Sequence, residues 1–326
     1  MKTIAVGQET LGIEMRKLGE VKAVRFQEKL AVLLVATASL IALSLTLPGI
    51  AWLVPSLLLG LAYAHAVELQ HQCLHNTAYR RKAINRLVGV PLGLPTCVSF
   101  SDYQNSHLKH HRLLGTSEDK EFFNYSYQKL RSPLALIPHL WMVRHYWDVL
   151  GYICKSSVGI LTRKNEATPK TAAKIRSEYQ LMAVFIGAMA VLTVVFATPI
   201  FVEIWLIPLL VAVPVHALIE LPEHIGCNTK VPNVLENTRT INTNKLVTWF
   251  VDGNNYHVEH HWLPGVPNDK FPLLHNHLKG KIAYNDTSYR SFYKQFVQHL
   301  KARTLDRTWE VESTAVEARK AVGTGA

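Results

Sequence analysis

Four apolar runs, each about 18 residues long, limit how this chain can fold more than any other feature. Leu30 to Leu47 and Ile50 to Val67 hold no charged residue and are parted only by Pro48-Gly49. Leu181 to Ala197 and Ile200 to Ile219 form a second pair, parted by Thr198-Pro199. Each run is just long enough to cross a bilayer as a helix, and a lipid-exposed backbone tolerates little else. The tight breaks predict two hairpins. Glu203, Pro208 and Pro214 lie in the last run, so that helix is expected to be kinked. The reading is therefore an all-α membrane protein with spans at about 30–47, 50–67, 181–197 and 200–219. One domain is expected over 30–300, after an N-terminal segment 1–29 and before a polar tail 301–326. Val311 to Ala326 is small and polar and is expected to be disordered.

Charge gives the expected orientation. The net charge is +11, yet no Lys or Arg occurs between Leu30 and Tyr79 or between Ser177 and Thr229. Arg16, Lys17, Lys22, Arg25 and Lys29 precede the first pair, Arg80, Arg81, Lys82 and Arg86 follow it, and Lys170, Lys174 and Arg176 precede the second. Cytoplasmic loops carry such an excess, so both termini and the central segment are expected to be cytoplasmic in a multi-pass protein. No basic stripe interleaved with aromatics points to nucleic acid. Met1 to Lys29 has no signal-peptide pattern, and no cleaved export signal is expected. Cys73, Cys97, Cys154 and Cys227 are scattered, with neither a redox nor a zinc-ribbon spacing. Leu87 to Phe100, with Pro91 and Pro95, is too short to span and reads as re-entrant or interfacial. Pro133 to Thr162 reads as an amphipathic helix at headgroup level.

Three histidine clusters carry the chemistry: HQCLH at 71–75, HLKHH at 107–111 and HVEHH at 257–261. His71 and His75 are four apart; His107, His110 and His111, like His257, His260 and His261, are three and four apart. Such residues share one helix face. In a chain with 16 His, one HxxHH is a weak signal, but two together with an HxxxH are a strong one. The predicted topology puts all three on one side of the membrane, where eight neutral imidazoles can hold two metal ions.

In that order and setting, the clusters resemble the membrane fatty acid desaturase family over roughly residues 30–280, most specifically at NYHVEHHWLPGVP, 255–267. The resemblance implies a cytoplasmic helical cap and a non-haem centre of two iron ions that activates dioxygen against an unactivated C–H bond. The implied ligands are His71, His75, His107, His110, His111, His257, His260 and His261. His224, in ELPEHIG, is a ninth: stearoyl-type members carry an extra His here, preceded four residues earlier by Asn. This chain has Glu220 at that earlier place, which leaves ligand, water-holding and supporting roles open for Glu220. Front-end members resemble one another in a third-cluster Gln and a fused cytochrome b5 domain. This chain has His257 and no HPGG, which favours a methyl-end or mid-chain desaturase and leaves acetylenic-bond formation open.

His65 and His216 lie on the spans and read first as satisfied buried residues; His139 and His145 are undecided, and His275, His277 and His299 read as surface groups. Glu68, Glu223, Asp148 and Glu259 are candidates to orient ligand rings, and Trp249, Phe250 and Trp262 to line a substrate channel. A zinc protease needs HExxH, but Gln72, Leu108 and Val258 follow the first His of each cluster. Without a haem, flavin or iron–sulfur motif, two electrons must come from an external donor such as ferredoxin, docking on the basic face. The expected partners are membrane lipid and an acyl substrate linked to lipid, CoA or carrier protein. The alternatives are a hydroxylase or ketolase on lipid, alkane or carotenoid, and a non-catalytic metal-handling or transport protein.

Overall fold

The computed structural model describes residues 18–119, 130, 132, 134–160, 167–305 and 308–309. Residues 1–17 and the expected disordered tail, Val311 to Ala326, lie outside them. The elements run α1 (Val24–Thr46), α2 (Leu53–Leu74), α3 (Lys82–Gly93), α4 (Phe100–Leu113), α5 (Ile137–Leu140), α6 (Val143–Ser157), α7 (Pro169–Phe196) and α8 (Ile207–Glu220). A π turn, Val202–Leu206, precedes α8, and a 3-10 turn, Leu221–Glu223, follows it. Then come α9 (Val234–Asn237), β1 (Arg239–Ile241), α10 (Lys245–Phe250), α11 (His257–Trp262), α12 (Phe271–Leu278), β2 (Tyr284–Asp286) and α13 (Tyr289–Ala302). One short parallel pair, β1–β2, in register Arg239–Tyr284, Thr240–Asn285 and Ile241–Asp286, is added to the otherwise helical architecture that the sequence predicts.

Four helical segments are long and apolar enough to cross a membrane: α1, α2, α7 and Val202–Glu223. α2 runs to Leu74 rather than stopping at Val67. Its last turns are polar, but Glu68, Gln70, His71 and Gln72 are all buried against other elements. α1 and α7 likewise begin earlier than hydropathy suggests, α7 with Thr168 accepting from the Thr171 amide and Pro169 in its first turn. α2 is the central helix. Leu69 and Cys73 pack with Phe26 and Leu33 of α1 and with Leu92 and Phe100, while Leu59, Tyr63 and Ala64 pack with Ala212 of α8. A side chain at Gly60 would collide with Val211 and the Pro208 carbonyl, so the crossing of α2 and α8 requires glycine there.

The prolines in the last apolar segment leave specific gaps, and the structure fills them. Proline has no N–H, so it frees the carbonyl four residues before it. Pro208 frees Ile204 O, which accepts from the Tyr63 hydroxyl at 2.7 Å. Pro214 frees Leu210 O, which accepts from Trp141 Nε1 at 3.0 Å. In the π turn, Glu203 O accepts from Ser56 Oγ. Such capping is required in an apolar surrounding, where an unpaired carbonyl costs about 1–3 kcal/mol.

The α3–α4 connection is pinned the same way: Pro95 O accepts from Trp205 Nε1 at 2.8 Å, and Thr96 O from the Tyr146 hydroxyl at 2.9 Å. The stretch read as re-entrant or interfacial thus packs its turn against Trp205 of the last apolar segment and Tyr146 of α6. The N-terminus of α4 is clamped by α7. Glu178 accepts from Ser99 Oγ at 2.7 Å, from the Ser101 amide at 2.8 Å and from Arg86, while the Tyr179 hydroxyl donates to Asp102 at 2.8 Å. Arg239 does comparable work after α8. It donates to Pro222 O and Ile225 O at 2.5 and 2.6 Å, pairs with Asp286 at 2.8 Å and stacks over Phe292. Those carbonyls flank His224.

Candidate metal centre

Each element delivers its histidines to one place. α2 ends in His71 and the helix-capping His75; α4 presents His107, His110 and His111; the turn after α8 delivers His224; α11 presents His257, His260 and His261. Their nitrogens form two groups of four, His71–His75–His107–His260 and His110–His224–His257–His261, each with ligand atoms within 4.8 Å of one another. His111 groups with His260 and His261 and so touches both. All nine predicted residues therefore meet in two adjoining sets.

The outer nitrogens decide which way the lone pairs point. His110 Nδ1 lies 2.9 Å from an Asp119 carboxylate oxygen, and His224 Nδ1 3.0 Å from the Asn237 carbonyl. Both partners can only accept, so both Nδ1 atoms carry the hydrogen and both Nε2 atoms present lone pairs. These two Nε2 atoms face each other at 3.2 Å, with His257 Nε2 3.1 Å from that of His224. His257 Nδ1 in turn lies 3.3 Å from Glu223. In the other group His71 Nδ1 faces Asn254 Oδ1 at 3.1 Å, while the Asn254 amide donates to Glu68. His71 Nε2 then meets His107 Nε2 at 2.8 Å, and His111 Nε2 lies 3.0 Å from the Nε2 atoms of both His107 and His260.

Burial pushes His75, His107, His111, His224, His257, His260 and His261 well below the ordinary imidazole value, and neighbouring histidines push them further. These rings are therefore uncharged near neutrality, each with one nitrogen free to act as a ligand. His75 Nε2 and both nitrogens of His261 have no hydrogen-bond partner among the described residues. Buried lone pairs aimed at one another repel, whereas a cation between them turns each into a ligand. The donor set fits imidazole-binding metals such as iron, zinc and copper.

Several supporting residues differ from the sequence reading. Glu223 faces a ring of the cluster directly, and Glu68 acts through Asn254. Glu259 is turned away, accepting from Thr240 Oγ1 and His275 Nδ1, each at 2.6 Å. His275 is consequently half-buried and paired, not a surface group, and His299 stacks on Trp309. His277 is exposed, as are His145 and Asp148. Asp119, Asn254 and the Asn237 carbonyl are the supports that sequence reasoning missed; each follows from folding rather than local spacing. His216 Nδ1 lies 2.8 Å from Glu68 and its Nε2 3.2 Å from Glu220, so Glu220 sits against His216. His65 donates to Phe250 O at 2.6 Å and stacks on Trp249 and Phe250. These two aromatics therefore pack on α2, and neither they nor the half-exposed Trp262 borders the cavity.

That cavity, about 1600 Å³, opens beside the cluster. His71, His107, His110 and His224 line one part of it. Cys97, Met142, Val149, Ala212 and Val213 give it an apolar side between the apolar helices and α5–α6, while Lys109, Arg112, Arg144, Asp148 and Glu220 give it a polar one.

The fatty acid desaturase family model matches residues 30–293, a stretch that holds every element of the cluster. The chain belongs to the fatty acid desaturase family. No protein of curated function matches it. Family membership makes the chain an oxidoreductase of the desaturase and hydroxylase type, and the two histidine groups are where this desaturase-family chain can hold metal.

Proposed function

We propose that this chain is a dioxygen-dependent acyl desaturase that introduces an unsaturated bond, double or acetylenic, using two iron ions and two external electrons. The observation that carries the reading is the convergence of nine histidines, their ring nitrogens gathered in two adjoining groups beside a cavity with one apolar side. His71, His75, His107 and His260 would hold one iron, His110, His224, His257 and His261 the other, with His111 between them. When bound, the irons supply dioxygen activation and the oxidising power to take hydrogen from an unactivated methylene, which no side chain provides.

The chain's own residues supply geometry. Asp119, Asn254, Glu223 and the Asn237 carbonyl fix the ring tautomers and orientations. Ala212, Val213, Met142 and Val149 give an acyl chain a dry bed, and His216 with its two carboxylates forms a polar band on the wall between that bed and α2. Four crossings in two hairpins, with the cluster and both termini on the cytoplasmic side, agree with the placement of Lys and Arg. A reduced ferredoxin-type donor would then meet the basic face on that side. The acyl group would arrive on lipid, CoA or a carrier protein.

The test is to express the full chain with a ferredoxin system, profile cellular lipids and free acids by mass spectrometry, and measure iron. The expected result is a product lighter by two hydrogens, or by four for an acetylenic bond, with about two irons per chain and no product from His110→Ala. A product heavier by one oxygen would replace desaturation with hydroxylation, and one that gains an oxygen and loses two hydrogens with ketolation. Zinc uptake without turnover would remove the oxidoreductase reading.

A further inference from the structure

The α5–α6 segment, like the α3–α4 connection, is anchored on the apolar helices away from their ends. Trp141, between α5 and α6, donates to Leu210 O, the carbonyl that Pro214 frees. Leu210 lies nine residues before Ile219, where the apolar run ends, a rise of about 14 Å at 1.5 Å per residue. A bilayer's hydrocarbon layer is about 30 Å thick. Trp141 is thus anchored deep within the layer that the long helices cross, not at headgroup level. Met142, in the left-handed region at φ 46°, turns the chain there, and Met142 packs against Val213 and Ala217 of α8.

From that anchor α6 runs with three distinct faces. Val149 and Ile153 pack on Ile175, Tyr179 and Met182 of α7. Arg144 and Asp148 border the cavity. The third face, Val143, Trp147, Leu150 and Cys154, follows helical spacing and points away from the protein: Val143 is 56% exposed, Trp147 76% and Leu150 51%. Leu134, before α5, is 76% exposed. A contiguous apolar stripe of this kind marks an interaction surface. Its continuity with the lipid-facing helices and the depth of Trp141 name the occupant as acyl chains of the bilayer. Val143 and Trp147 belong both to this outer stripe and to the cavity lining, so at these two residues the cavity reaches the outer face.

We infer that α5–α6 lies within the bilayer as the outer wall of the cavity, and that the acyl tail of a bilayer lipid enters sideways past Val143 and Trp147. This rests on the acyl-oxidising reading above for its second half only; the placement of α6 stands on its own geometry.

The experiment uses the iron-loaded full chain in phosphatidylcholine vesicles. Nitroxide labels are placed at Leu150→Cys and Trp147→Cys in a Cys154→Ser background, with Lys230→Cys as an exposed polar control. The labels on α6 are expected to collide with oxygen several-fold more than with a water-soluble nickel chelate, and the control to show the reverse. Nickel access at α6 equal to the control would overturn the placement. In parallel, the same preparation with a reduced ferredoxin-type donor is offered acyl chains as vesicle phosphatidylcholine, as CoA thioester or as carrier-protein thioester. Product in intact phospholipid, falling at least about tenfold in Trp147→Asp at unchanged iron content, supports sideways entry. Product from thioesters only, or an unaffected Trp147→Asp, overturns sideways entry while leaving acyl oxidation standing. Absence of product from all three sources would sink the acyl reading and the entry with it, and the labels would then decide the surface alone.

Discussion

His110 can present only one nitrogen inward, because Asp119 holds the other at 2.9 Å. Asp119→Ala frees the ring to rotate and to change tautomer, so metal affinity is expected to fall by about 10- to 100-fold with helix content unchanged. Titration of the apoprotein with Co²⁺, followed by its absorption bands, measures this; affinity equal to the parent's would show that Asp119 does not orient the ring. The buried rings also set a pH dependence. Their folded values lie well below the ordinary one, so the unfolded chain takes up protons first as pH falls below about 6.5. Apoprotein stability is therefore full above that pH and drains below it, by up to about 1.4 kcal/mol per pH unit for each histidine involved. Unfolding midpoints in micelles from pH 7.5 down to 5.5 are expected to fall; a rise toward acid would contradict the placement of neutral rings. Eight of the nine histidines were legible because helical spacing is local, and His224 only through the family resemblance. Asn254, 183 positions from His71, and Asp119, nine from His110, were not, because only the fold creates those contacts.

Helix ends show where hydropathy stops being informative. The apolar signal of α2 fades at Val67, yet the helix continues to Leu74, because its polar last turns are buried by α3, α4 and the third histidine helix rather than by lipid. The freed carbonyls of the last apolar segment were readable from Pro208 and Pro214. The residues that satisfy the freed carbonyls, Tyr63 and Trp141, were not, since each comes from a distant element. The same holds for β1–β2, whose strands are too short to leave an alternating pattern. Trp141→Phe removes the donor to Leu210 O and should cost about 1–3 kcal/mol in micelle unfolding. Pro214→Ala restores the helix's own N–H, so Trp141→Phe should cost markedly less in that background. Equal costs in both backgrounds would mean that Trp141 acts by packing alone. A double-mutant cycle reads this coupling directly.

Across the whole molecule, the two histidine groups join four pieces far apart in sequence: the end of α2, α4, the turn after α8, and α11. Metal bound to the folded arrangement and not to the unfolded one stabilises by mass action, about 2.7 kcal/mol at a hundred times the dissociation constant. That stabilisation is not spread evenly. The apolar helices keep their own packing, such as Leu59 and Tyr63 against Ala212, whether or not the rings are bridged. The stretch from His224 to Trp262 has less of its own. Its anchors include the Arg239 strut, the Glu259–Thr240–His275 contacts, the Lys29–Asp252 ion pair, the Asn254–Glu68 and His65–Phe250 bonds and the histidines themselves. Removing metal with a chelator should therefore open 224–262 to protease several-fold faster, while α1, α2, α7 and α8 stay resistant in vesicles. Arg239→Met should hasten cleavage of the same stretch even with metal present, because it releases the carbonyls that flank His224. Mapping early cleavage sites by mass spectrometry distinguishes the cases. Cuts that begin within the apolar helices after chelation would mean that the metal groups, rather than lipid and helix packing, hold the spans together.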